Sequence, residues 1–264
     1  MFLVQSAGKR FAAILLVALA ASPLHSQTAP YLCGTNAGST IATDRPQITN
    51  SSVVVPCGSL QLENGFEETT TSGQHGYDLP ETSIRLGIAR RTELRLAVPD
   101  AYFPNPAGVG DLVVGLKQQL GPVHGFDVSV IPSLSLPTGA NAISSHGYDP
   151  SVSIPWSRSL SKTWTVAGQF ALLDPTVSYR HDLTGQASVY FDDQLTGPWD
   201  AYLEYSGAFP ERGGPQHILD FGTAYKLSPH QQLDLHCGFG LSSAAPTLVV
   251  GIGYSARFQV FGRT

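Results

Sequence analysis

Few residues in this sequence are spaced to do chemistry. His146 follows Ser144 and Ser145, which puts an imidazole beside two hydroxyls, the minimal parts of an acyl-transfer pair. The eight histidines are otherwise scattered, and no HExxH, CxxC or GxSxG occurs, so neither a zinc hydrolase nor a serine elbow has a local signature. His230 and His236 are near each other in sequence, but a turn residue and a strand residue need not converge on a metal. The run GIGYSA at 251–256 fits a dinucleotide-binding pattern, yet no helix and no βαβ unit accompany it. No catalytic residue, metal ligand or cofactor site is therefore expected, and His146 is the one candidate for a lipid-modifying enzyme. Cys33 and Cys57 bracket a turn-rich segment and would close one disulfide in an oxidising compartment, with two free thiols as the equal alternative. Cys237 is left over.

The remaining ionisable residues follow a rule instead of a motif. From residue 59 onward apolar and polar side chains alternate with period two, which sends neighbours to opposite faces of a strand. Leu233, Leu235, Cys237, Phe239 and Leu241 share one face, while Gln232, Asp234, His236, Gly238 and Gly240 share the other. The polar face collects Glu63, Arg85, Arg95, Asp111, Lys117, Asp200, Glu204, Asp220, Lys226, Asp234, His236 and Arg257. With Glu67, Glu93, Asp127 and Asp192 it carries ten acids against five bases. A channel with that lining would favour cations.

Composition says what lies against the apolar face. Of 264 residues 42% are hydrophobic and only 13% are charged, about half the charge that soluble domains carry. Lys9 and Arg10 precede an apolar run and a small-residue stretch, the layout of a secretory signal peptide over 1–26 with cleavage after Ser26. Removing it leaves 13 Lys and Arg against 20 Asp and Glu, an acidic balance that argues against nucleic acid as a partner. Leu32 and Tyr31 precede Cys33 where a lipoprotein would carry small residues, so no lipid anchor is expected.

Twelve strands are predicted, at 59–67, 82–89, 93–98, 111–120, 126–136, 151–156, 163–172, 186–194, 200–209, 218–227, 231–241 and 247–258. Their connections alternate short and long. Even parity with sorted loops is what a transmembrane barrel shows, whereas a β-sandwich has no reason to sort its loops. The fold class is therefore all-β, an antiparallel transmembrane β-barrel over 59–264, preceded by a lead-in at 27–58 that is either periplasmic or folded into the pore mouth. The segment 175–180 alternates too and is assigned to an external loop on parity. Trp156, Trp164 and Trp199 lie at or beside short turns, where an interfacial girdle belongs.

Several blocks carry a resemblance. The residues Thr43, Asp44, Arg45, Pro46, Val55, Pro56, Gly58, Gln61, Leu62, Glu63, Gly65 and Phe66 resemble the opening signature of a bacterial family of outer-membrane transporters associated with the meta-pathway of phenol degradation. GVGDLVVGLK at 108–117, PSLSLPTG at 132–139, YLEYSG at 202–207, LDFGTAYKLSPHQQLDLHCGFGL at 219–241 and GIGYSARF at 251–258 are similar to it as well. Cys57 stands where a charged residue is more usual, and QVFGRT extends past Phe258, where such barrels often stop. The resemblance implies a barrel in the outer membrane and no established substrate.

The expectation is an outer-membrane pore for passive passage of small solutes, hydrophobic or aromatic compounds among them. Its partners would be outer-membrane lipid, the barrel assembly machinery and the solute. A lipid-modifying barrel enzyme and a non-conducting structural barrel are the alternatives.

Overall fold

The computed structural model describes Cys33, residues 39–104 and residues 106–261. The predicted signal peptide and the start of the lead-in lie outside the described residues. Twelve antiparallel strands form one closed sheet: β1 (Ser59–Thr71), β3 (Ser83–Ala89), β4 (Thr92–Ala97), β7 (Leu112–Val123), β8 (Phe126–Leu136), β9 (Asp149–Ser159), β10 (Trp164–Leu173), β13 (Thr184–Thr196), β14 (Trp199–Pro210), β15 (Gln216–Ser228), β16 (Gln231–Gly240) and β17 (Leu248–Gln259). Each pairs with the next, and β17 returns to β1 with Ser59 opposite Gln259. Closure leaves no unpaired edge, which a strand in lipid requires because no water is there to satisfy the backbone.

The alternation becomes two environments. Leu235 is 51% and Ile252 54% exposed on the outer face, while Arg85 and Lys117 are 0% exposed inside. Lipid takes the place that water has around a soluble protein. Trp164 and Trp199 are exposed beside short turns, and Trp199 meets Tyr225 edge-on at 4.8 Å.

Two loops contain strands that alternation did not reveal. β2 (Gln74–Leu79) lies in the connection after β1, and β5 (Ala101–Phe103) and β6 (Gly108–Val109) lie between β4 and β7. They continue neighbouring strands in register: Ser83 pairs with Ala97 and Leu79 with Ala101, so β2 and β3 are one strand interrupted at 80–82, and β5 continues β4 past 98–100. Pro80 and Pro99 lack the N–H that the ladder needs, and Glu81 has φ 44°. The same register runs from β7 into β6 across Gly110 and Asp111. The segment around 175–180 forms a separate two-stranded ribbon, β11 (Thr176–Val177) with β12 (Arg180–His181), apart from the closed sheet.

Candidate functional site: a latched segment in the lumen

Residues 39–58 contain no strand and pass inside the barrel, where every crossing strand except β15 gives them a hydrogen bond or ion pair. An irregular backbone cannot lie against lipid, but within a polar lumen each of its groups can find a partner.

Asp44 is the centre. Its carboxylate lies 2.5 Å from Arg95 Nη2, 3.3 Å from Lys117 Nζ and 3.4 Å from Arg85 Nη1. Its own N–H donates to Glu63 Oε2 at 2.9 Å, and the Ser51 N–H donates to Asp44 Oδ1 at 2.8 Å. Around it the wall is internally paired. Arg85 donates to Glu63 at 2.7 Å and to Glu93 at 2.9 Å, and Arg95 donates to Glu93 at 2.9 Å. Glu93 also accepts the Val55 N–H at 2.6 Å. These wall residues bring three cations and two acids, and Asp44 makes the cluster neutral. Buried charges are tolerable only when paired this completely.

A second anchor is Glu204 on β14, fully buried, which accepts the N–H of Ile48 at 2.7 Å, the N–H of Thr49 at 3.0 Å and the Thr49 hydroxyl at 2.6 Å. Asn50 donates to Gln169 Oε1 at 2.8 Å, and Ser52 shares a hydrogen bond with Ser157 at 2.7 Å. Arg45 makes the third anchor, with Nη1 2.5 Å from Glu81 Oε2 and Nε 3.5 Å from Asp234 Oδ1. Gly65 and Gly253 flank its guanidinium, and a Cβ on either would stand 2.4 Å from an Arg45 side-chain atom.

Thus Glu63, Arg85, Arg95, Lys117, Glu204 and Asp234 converge on the segment. Arg257 donates to the backbone carbonyls of Ser39 and Thr40. The others lie apart. Asp220 accepts from the Tyr202 hydroxyl at 3.0 Å and lies 3.1 Å from His236 Nδ1, and Asp200 pairs with Lys226. Asp111 accepts the N–H groups of Gly139 at 2.8 Å and Ser145 at 2.9 Å, so it ties down the outer loop between β8 and β9. The acidic surplus read from the sequence does not line an open path as a whole, because Glu63, Glu93 and Glu204 are taken up by bases or by the segment. The sequence reading left open whether the lead-in enters the barrel, since its partners come from strands more than a hundred residues away.

Cys33 and Cys57 are joined by a disulfide, and Cys237 is a free thiol. Glu67, Asp78 and Glu81 have carboxylate oxygens within 4.8 Å of one another, the one group among the described residues with the spacing for a metal ion, although Glu81 is already paired with Arg45. The His146 ring contacts the Asn141 carbonyl at 3.1 Å and stacks on Tyr179 at 5.9 Å. It makes no hydrogen bond to either neighbouring serine hydroxyl, so the acyl-transfer pair is not assembled.

The architecture matches known barrels at low sequence identity. It aligns with the COG4313 outer membrane channel from Pseudomonas putida F1 at a TM-score of 0.59 and 11% identity, covering 81% of this chain and 100% of the other. NanC porin gives a TM-score of 0.54 at 11% identity, covering 75% of this chain and 98% of that one, and KdgM porin gives 0.54 at 11% over 76% and 99%. No curated protein sequence matches the chain. A closed barrel with an apolar exterior and a charged interior, sharing its fold with these proteins, is an outer-membrane protein. The family pattern matches residues 43–258, from the latch through the last strand, and the chain belongs to the family described as "Putative MetA-pathway of phenol degradation".

Proposed function

We propose that the protein is an outer-membrane channel for passive passage of small solutes, narrowed by its own 39–58 segment. The observation that carries this reading is open space on both sides of the latch. Toward the periplasmic turns an open recess of about 460 Å3 is bordered by Thr40, Gln194, Lys226 and Pro229. On the other side a chamber of about 120 Å3 opens above Ile48. A structural barrel has no need of a lumen divided in this way. The porin and channel names of the fold relatives agree with it.

Ions that pass should be mainly cations. Glu67, Asp78, Glu81 and Asp100 lie close to one another with Arg45 as the base beside them, and an unbalanced lining concentrates ions of opposite sign. Planar-bilayer recording of the refolded full chain tests both statements. Discrete conductance steps with a cation-directed reversal potential in a salt gradient are expected. Silence, even after the Asp44 latch is removed, would leave a non-conducting structural barrel.

A further inference from the structure

The chamber above Ile48 differs from the rest of the lumen in having no charged side chain in its lining. It is built where β10, β13, β14 and β15 face inward, and its volume is about 120 Å3. Its apolar surfaces include Ile48, Ala208 and Ile218. Ile48 is 45% exposed although its own N–H is bonded to Glu204, so the latched segment holds this apolar side chain out into the space. Gln169, Gln186 and Gln216 supply the polar part. Among the described residues Gln186 and Gln216 have no side-chain hydrogen bond, and Gln169 uses only its carbonyl oxygen, toward Asn50.

The nearest acid cannot serve a cation there. Glu204 already accepts three hydrogen bonds from the segment, and Asp220 is held by Tyr202 and His236. An ion entering the chamber would lose its water and find no charged side chain in the lining to replace it. An uncharged molecule with a donor or acceptor would lose little, because free carboxamides replace its water. At about 120 Å3 the chamber is somewhat smaller than the apolar cavity of about 150 Å3 that holds a benzene ring, so it selects for compact bodies and leaves the polar end at its open side.

We propose that this chamber is a binding site for small uncharged solutes that consist of a compact apolar body carrying one hydroxyl or amide. The apolar body lies on Ile48, Ile218 and Ala208, and the polar group exchanges hydrogen bonds with Gln186 or Gln216. As the solute class of the channel this rests on the proposed function, but as a binding site it is measured without conductance, so either can fail alone.

The test uses three probes of one shape, 4-fluorobenzyl alcohol, 4-fluorobenzoate and 4-fluorobenzylammonium, titrated by fluorine NMR into the refolded full chain in detergent. The alcohol should give a saturable protein-bound signal at least about tenfold tighter than either ion, a factor worth 1.4 kcal/mol. Ala208→Phe, which fills the chamber, should abolish it. Ile218→Phe is the second filling variant and decides the matter if the first does not fold. Gln186→Leu with Gln216→Leu should weaken the alcohol about tenfold and leave 4-fluorotoluene unchanged. Equal binding of the ions, or an alcohol signal that survives a folded filling variant, overturns the assignment.

Discussion

Asp44 and Arg95 meet at 2.5 Å inside the barrel, one from a segment without secondary structure and the other from β4. The contact fixes the segment across the lumen, and its loss would change the charge of the latch. With Asp44→Asn, Arg85, Arg95 and Lys117 would face only Glu63 and Glu93. Removing one partner of a buried ion pair costs roughly 3–5 kcal/mol. The variant should therefore open more often or more widely in single-channel records, with the barrel still folded. Unchanged conductance in the variant would show that the segment does not limit the path.

Asp111 should make the outer loop sensitive to acid. Burial works to raise its carboxyl, but the N–H groups of Gly139 and Ser145 and the hydroxyls of Ser144 and Ser145 outweigh this and hold it below the ordinary aspartate range. A depressed value means that the clamp contributes fully above the unfolded pKa and loses its contribution as pH falls through the folded one. Amide exchange at Gly139 and Ser145, corrected for intrinsic rates, should lose protection only in strong acid. Asp111→Asn should show reduced protection that is flat across the same range.

Much of the wall was legible because period two is a local signal. The Leu233 to Leu241 alternation needs no knowledge of partners to be read, and closure follows from strand parity and loop sorting. The latch was not legible in the same way. Asp44 and Arg45 look like turn residues beside Pro46, and nothing nearby in sequence announces Lys117 or Asp234 as their partners. The strand extensions β2, β5 and β6 were missed for a different reason. Pro80 and Pro99 interrupt the alternation, so the eye reads loops where the register in fact continues.

The disulfide fixes where the segment begins. Cys33 and Cys57 are 24 residues apart and bonded, and Cys57 lies just before β1. Closing a loop of this size is worth roughly 3 kcal/mol. Mass spectrometry of the non-reduced, alkylated chain should find Cys237 as the one modified thiol. Labelling of all three without reduction would remove the tether. Reduction in the folded barrel should raise amide exchange in the segment while leaving the strands protected.

Substitutions along β16 and β17 should separate lipid, lumen and latch. Leu235 and Ile252 face lipid, so Arg at either should cost roughly 2–4 kcal/mol in refolding into bilayers. Alternation makes Gly238 and Gly253 equivalent lumen residues, but the packing does not. A Cβ at Gly238 first meets Ile218 Cγ2 at 3.2 Å, whereas at Gly253 it would stand 2.4 Å from Arg45 Nε and 2.6 Å from Asp234 Oδ1. Overpacking of this kind costs about 1–3 kcal/mol, and it falls on the guanidinium that holds Glu81 and Asp234. Gly253→Ala should therefore displace Arg45 and raise conductance, as the Asp44 variant does, while Gly238→Ala should leave both stability and conductance near native. Matching behaviour of the two alanine variants would show that Arg45 yields freely and that the latch is held by Asp44 and Glu204 alone.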